Sequence, residues 1–230
     1  MGILDGKVAL VTGAKGGLGS FVTRAFLDAG ARVIGVSRSI GAADFDHPAF
    51  TARSAELTDP DAVRGLVDDV ARRFQRIDAL VHVMGGFAGG QTVAETDDVT
   101  FEKMLDINLR SAFLVARAVV PHMRRQSAGR ILAVASRQAV DPSPGVGAYN
   151  VSKAGVLALI RTLALENKDR GIACNAVLPG TMDTPGNRAG GGDPSGWIQP
   201  AQVAALLVHL ASDAASQITG AAIPIYGSQL

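Results

Sequence analysis

One cysteine, Cys174, stands in a chain of 230 residues. It has no thiol partner for a disulfide or a metal site, and the apolar run around it predicts a buried structural side chain. No charge of one sign prevails. The 22 lysines and arginines are met by 21 aspartates and glutamates, a formal net charge of +1, which argues against a nucleic-acid or other polyanionic partner. Arg64, Arg72, Arg73 and Arg76 interleave with Asp68, Asp69 and Asp78 and read as a solvated face. No window is long and apolar enough for a membrane span. The opening MGILDGKVALVTG lacks the basic segment and long apolar run of a secretory leader, and it has Gly6 where N-myristoylation wants Ser or Thr. A cytoplasmic protein is therefore the expectation. His47, His82, His122 and His209 show no ligand spacing, so no metal is expected either.

Hydrophobic residues make up 47% of the chain, enough for a substantial core in one domain covering 1–230. Short runs rich in Val, Ile, Leu and Ala alternate with longer stretches of helical period. Strands are predicted at 7–12, 32–36, 50–53, 78–83, 130–135, 172–178 and 222–226. Helices are predicted at 18–29, from 59 or 60 to about 75, from 101 to about 126, from 149 to about 168, and at 200–212. Asp59 serves as N-cap with Pro60 in the first turn, and Pro121 is placed to kink the third helix. This alternation predicts an α/β fold: a doubly wound, mostly parallel sheet with helices on both faces. The Gly/Pro-rich segment 179–200 has the least regular structure, and a loop of that length usually serves a site.

The first strand runs into Thr12-Gly13-Ala14-Lys15-Gly16-Gly17-Leu18-Gly19. Glycines between a strand and a helix allow a tight turn and close approach to a pyrophosphate, with the helix N-terminus facing the charge. No Gly-Lys-Ser/Thr follows, which argues against an ATPase or GTPase. The acid that often ends the second strand is also missing. Ser37 and Arg38 stand there instead and favour a 2′-phosphate, hence NADP(H) over NAD(H), with Lys15 as a second positive charge. The alternative is a solvated Arg38 and a turn that takes either cofactor. Further on, Tyr149 and Lys153 in YNVSK lie one helical turn apart and share a face. A lysine there can keep a tyrosine's proton chemistry near neutral pH, or be an ordinary surface charge.

Together with Asn108 in DINLRSAF, Ser136 in ILAVAS and VLPG at 177–180, the turn and the YNVSK segment make the chain resemble the short-chain dehydrogenase/reductase family over nearly its whole length. The resemblance implies a Rossmann-type fold and hydride transfer between a nicotinamide and a carbonyl or secondary alcohol. It makes Tyr149 the general acid/base and Lys153 the group that lowers its pKa and holds the nicotinamide ribose. Ser136 would bond the substrate oxygen, and Asn108 would hold a water linking Lys153 to solvent. On the cofactor side it implies Gly13, Gly16, Gly17, Leu18 and Gly19 at the pyrophosphate, Thr12 as the turn's structural hydroxyl, and Lys15, Ser37 and Arg38 at the ribose. Glu56 and Leu57 would lie by the adenine, and Pro179, Gly180, Thr181 and Thr184 on the nicotinamide side. It also implies a homo-oligomer, dimer or tetramer, built on the helices at 101–126 and 151–168.

Two departures stand out. His82-Val83-Met84-Gly85 replaces the family's usual Asn-Asn-Ala-Gly, with His82 expected to be structural, and Glu56 replaces an Asp. The segment 85–90 (GGFAGG), the loop VLPGTMDTPGNR and Ser195-Gly196-Trp197 are similar to quinoid dihydropteridine reductases. That subgroup usually lacks the serine and the asparagine, so carbonyl reduction is preferred and reduction of a quinonoid dihydropterin ranks behind it. Phe87, Arg137, Met182 and Trp197 are the candidate substrate contacts. A 3-oxoacyl thioester, a small ketone, a sugar or a steroid is compatible with them. A non-catalytic dinucleotide sensor is the alternative from another class, and the intact Tyr/Lys/Ser/Asn set argues against it.

Overall fold

Seven short apolar runs become strands because each is too short for a stable helix, and the central ones are buried on both faces by helices while the two edge strands are half-buried. The computed structural model describes residues 2–228. Its strands are β1 (Val8–Thr12), β2 (Arg32–Val36), β3 (Phe50–Arg53), β4 (Ala79–His82), β5 (Gly129–Val134), β6 (Ile172–Pro179) and β7 (Ala222–Ile225). They form one parallel sheet in the order β3-β2-β1-β4-β5-β6-β7. The order reverses between β1 and β4, and a doubly wound sheet opens its ligand crevice at such a point. The register there pairs Thr12 with both Val36 and His82.

The helices are α1 (Gly19–Asp28), α2 (Pro60–Phe74), α3 (Asp98–Met104), α4 (Ser111–Gln126), α5 (Gly147–Asn167), α6 (Pro185–Ala189) and α7 (Pro200–Ala211). One core layer joins α2, α4 and α5 to the sheet, and the other joins α1 and α7 to its opposite face. Asp59 caps α2 as expected, its Oδ1 accepting from the N–H groups of Asp61 (2.8 Å) and Ala62 (3.2 Å). Cys174 is fully buried in β6, and burial pushes its thiol up to about 12, the behaviour of an inert core side chain.

Two sequence expectations need correction. The helix predicted at 101–126 starts at Asp98 and is not one α-helix. Leu105–Arg110 forms a π-turn between α3 and α4, with the buried Asn108 inside it. The segment after β6 is also less irregular than its composition suggests. Thr184 caps α6 by accepting from the Asn187 N–H (3.3 Å), and Met182 bridges to Ile198. Among the described residues no helix is long and apolar enough to cross a membrane, and no group of three or more His, Cys, Asp or Glu is placed to hold a metal ion.

Candidate active site

The carboxyl ends of β1, β2, β4, β5 and β6 open on a cleft of about 610 Å³. Its floor is the glycine turn. Gly13 has φ +67, and a Cβ there would sit 2.8 Å from the Met84 backbone; a Cβ on Gly19 would collide with the Gly13 carbonyl. The turn is therefore closed against its own backbone and against the strand beside it, and only glycine fits. The first turn of α1 contains no acidic residue, and Leu18 caps it without a side-chain bond. Gly17, Leu18 and Gly19 line the cleft where α1 begins, and a helix N-terminus suits a diphosphate.

The far corner of this half is polar and exposed. The Ser37 hydroxyl accepts from the Lys15 N–H (3.2 Å), and Arg38 reaches into solvent beside them. Lys15 is not a free charge. Its ammonium donates to the Ser39 carbonyl (3.1 Å) and pairs with Asp44 (2.9 Å), and these contacts hold the Asp44 carboxyl below its usual range after the Gly41 N–H has done the larger part. Leu57 lines the cleft but Glu56 does not. The Glu56 carboxylate accepts from the Thr58 N–H (3.2 Å) and hydroxyl (2.9 Å), which leaves Leu57 as the residue of this pair on the cleft wall.

The other half is buried and hydrogen-bonded throughout. Lys153, on α5, is only 5% exposed, and burial brings its ammonium down to about 8. Its Nζ donates to the Val134 carbonyl (2.9 Å) and stands 5.9 Å from the centre of the Tyr149 ring. Burial moves the Tyr149 phenol above its ordinary value, and a hydrogen bond with Ser136 pulls it partly back. The expected acidification of Tyr149 by Lys153 is thus outweighed here by desolvation, because the ammonium is directed at a carbonyl and not at the phenol. Ser136 itself caps a turn by accepting from the Gln138 N–H (3.2 Å).

Asn108 clamps the backbone around it. Its Oδ1 accepts from the Gly86 N–H (2.9 Å), while its Nδ2 donates to the Gly86 carbonyl (3.1 Å) and to the Ser152 hydroxyl (2.9 Å). Ser152 in turn donates to the Tyr149 carbonyl (2.8 Å). The π-turn thereby grips the glycine segment after β4 and the first turn of α5 at once. Gly85 is required between them, since a Cβ there would lie 2.7 Å from Asn108 Oδ1 and 3.2 Å from Lys153 Nζ.

A second cleft continues from Tyr149 past Ser136, with Pro179, Gly180, Thr181 and Met182 on one wall and Arg137, Gln138 and Ser143 on the other. Phe87 borders both clefts. It is 68% exposed and meets the Tyr149 ring edge-on at 5.1 Å. Arg137 is engaged by Asp141 (2.7 Å) and stacks on Tyr226 at 5.1 Å. Thr184 and Met182 reach the cofactor cleft. Trp197 lines neither cleft, since its ring lies against Gly192 outside them, and its expected substrate contact is withdrawn. Sequence reasoning missed Ser152, Asp44 and Asn187. Ser152 lies inside YNVSK and carries the spacing signal of a residue facing Asn108. Asp44 and Asn187 act through loop geometry and leave no such signal.

Fold and cleft together define a nucleotide-binding α/β oxidoreductase of the NAD(P)-dependent kind. Residues 7–192 match the short chain dehydrogenase family model. The chain is 32% identical to 2-dehydro-3-deoxy-D-gluconate 5-dehydrogenase of Pseudoalteromonas atlantica over 97% of its own length and 96% of that protein's. It is also 32% identical to a 3-oxoacyl-(acyl-carrier-protein) reductase of Thermotoga maritima, over 97% and 98% respectively. The ligand-free aldohexose dehydrogenase of Thermoplasma acidophilum superposes with a TM-score of 0.90 at 28% identity, over 98% of this chain and 94% of that one. The chain belongs to the short-chain dehydrogenase family.

Proposed function

We propose that this enzyme is an NADP(H)-preferring oxidoreductase acting on a carbonyl or secondary alcohol, with Tyr149 as its general acid/base. The observation that carries this reading is Tyr149 at the junction of the two clefts, with Ser136 lining the second and a buried Lys153 one turn away. Gly13, Gly16, Gly17, Leu18 and Gly19 would hold the diphosphate, and Ser37, Arg38 and Lys15 the 2′-phosphate. Thr184, Pro179, Gly180 and Thr181 would border the nicotinamide. When bound, the nicotinamide supplies or accepts the hydride.

The chain's own part is proton transfer. In reduction, the phenol gives its proton to the substrate oxygen, and Ser136 donates a hydrogen bond to the same oxygen as charge builds there. A phenol raised by burial keeps its proton until that charge appears. Lys153 stabilises the phenolate left behind and, in the oxidising direction, makes the phenolate accessible as a base. Asn108 and Ser152 fix the backbone of Tyr149 through its carbonyl. The polar side chains around the second cleft, Ser136, Gln138, Ser143 and Asn187 among them, suit a small hydroxylated carbonyl compound. Two of the three relatives above are named for sugars or sugar acids, which supports the same substrate class. A 3-oxoacyl thioester ranks next, on the name of the third. Quinonoid dihydropterin comes last, resting on the 85–90 and 177–188 segments alone.

The test is oxidation of NADPH and NADH against a panel of sugars, ketones, 3-oxoacyl thioesters and quinonoid dihydropterin, repeated with Tyr149→Phe. Turnover with NADPH that drops at least about 100-fold in the variant, at unchanged NADPH affinity, is the expected result. Cofactor binding with no turnover on any member would instead favour a dinucleotide sensor.

A further inference from the structure

His82 replaces the family's usual asparagine at the centre of the sheet, and it bonds in two directions. On one side its Nδ1 lies 3.0 Å from the Thr12 hydroxyl; on the other its Nε2 lies 3.3 Å from the Ser111 hydroxyl. Counting protons settles which group donates. The Thr12 hydroxyl oxygen already accepts from the N–H groups of Met84 (3.3 Å) and Val83 (3.2 Å), the latter shared with the Thr12 carbonyl (3.3 Å), which occupies both its lone pairs. Its single proton therefore goes to Nδ1. The Ser111 hydroxyl spends its proton on the Ile107 carbonyl (2.7 Å) and has lone pairs left for a proton on Nε2. Both ends call for the same neutral tautomer, bare at Nδ1 and protonated at Nε2. Burial, followed by the Lys153 charge, brings His82 down to about 3, which agrees with a neutral ring.

We propose that His82 is a positioning residue that keeps the two halves of the site in register. Through Nδ1 it fixes Thr12, and with it the cofactor turn that begins at the next residue. Through Nε2 it fixes Ser111, and with it the π-turn whose Asn108 clamps Gly86 and Ser152. The neutral imidazole spans this distance with an acceptor at one end and a donor at the other. Asparagine reaches only as far as Nδ1, and glutamine places its amide nitrogen near Nε2. Each therefore restores one half of the brace.

The experiment uses the full chain with His82→Asn, His82→Gln and His82→Leu. Three quantities are read: affinity for NADPH and NADH by fluorescence titration, hydrogen exchange at the Gly86 amide, and the wild-type His82 tautomer by ¹⁵N NMR at neutral pH. His82→Asn is expected to keep cofactor affinity and to speed Gly86 exchange on the order of ten-fold, since one buried bond is lost. His82→Gln is expected to do the reverse, weakening cofactor binding on the order of ten-fold while Gly86 stays protected. His82→Leu is expected to show both losses. A wild-type ring protonated at Nδ1 overturns the proposal, and so do Asn and Gln variants that behave alike. If the leucine variant does not fold, the other pair decides; if none of the three folds, the wild-type tautomer does.

Discussion

The two ends of the cofactor cleft solve different electrostatic problems. At the ribose end Lys15, Arg38 and Asp44 sit in water, with the Lys15 and Asp44 side chains 46% and 26% exposed. At the chemical end Lys153, Asn108, His82 and Ser152 are buried and every side chain among them is hydrogen-bonded. A group that only has to discriminate between a phosphate and a hydroxyl can remain solvated, because a modest free-energy difference is enough. A group that must move a proton needs fixed partners in a dry setting, where the same charge acts far more strongly. Changes at the buried end should therefore be large and insensitive to salt, and changes at the exposed end small and screened.

Lys153→Met gives the sharpest contrast. Turnover should fall on the order of 100-fold or more, while the variant melts higher than the wild type at neutral pH because a buried charge is gone. The sign follows from the lysine's value near 8, below its ordinary 10.5. Below about 8 the folded protein carries the full cost of burying the ammonium. Between 8 and 10.5 the unfolded chain binds more protons than the folded one, so wild-type stability rises and the gap to the variant closes. Thermal melts across pH 6 to 11 measure it, and a gap that widens with pH breaks the argument.

Asn108→Ala comes next. Three hydrogen bonds are lost, two to the half-buried Gly86 and one to the buried Ser152, so melting should drop by an amount corresponding to about 1–3 kcal/mol, with turnover down on the order of ten-fold at unchanged cofactor affinity. Equal losses in turnover and cofactor affinity would mean that the clamp serves the whole cleft and not its chemical end. Arg38→Asp should lower kcat/KM for NADPH relative to NADH on the order of ten-fold, an effect that shrinks as salt is raised. A wild type that prefers NADH would remove the basis of that prediction. The smallest effect is expected from Asp44→Asn. Freeing Lys15 from its carboxylate should raise the NADPH preference roughly two- to five-fold at low salt and hardly at all at high salt.

The same contrast explains what could be read in advance. The strands were legible because a buried parallel strand is an apolar run with little else in it, and β2 and β3 fall on their predicted bounds. Tyr149 and Lys153 were legible as a pair because they sit one turn apart on α5. Glu56 and Trp197 are not among the residues lining the two clefts, and each lies in irregular chain, where a side chain's direction depends on turns that the sequence pattern does not encode. The Lys15 pairing with Asp44 was invisible for the same reason, being a contact between two loops. The π-turn escaped because the helical period hardly notices one additional residue, and the two-sided bonding of His82 could be seen only once Thr12 and Ser111 were known to flank it.

That additional residue has a mechanical consequence. In an α-helix each residue advances the chain by about 100° around the axis. Deleting one residue from Leu105–Arg110 would restore plain α geometry and leave α3 and α4 in their present register, because the wide turn already absorbs that step. The outward side chains Phe113 and Arg117, which stack on each other, would stay where they now point while Asn108 lost Gly86. Surface and site are thus uncoupled by a single inserted step, so the bulge can present Asn108 to the site without turning the outer face of α4.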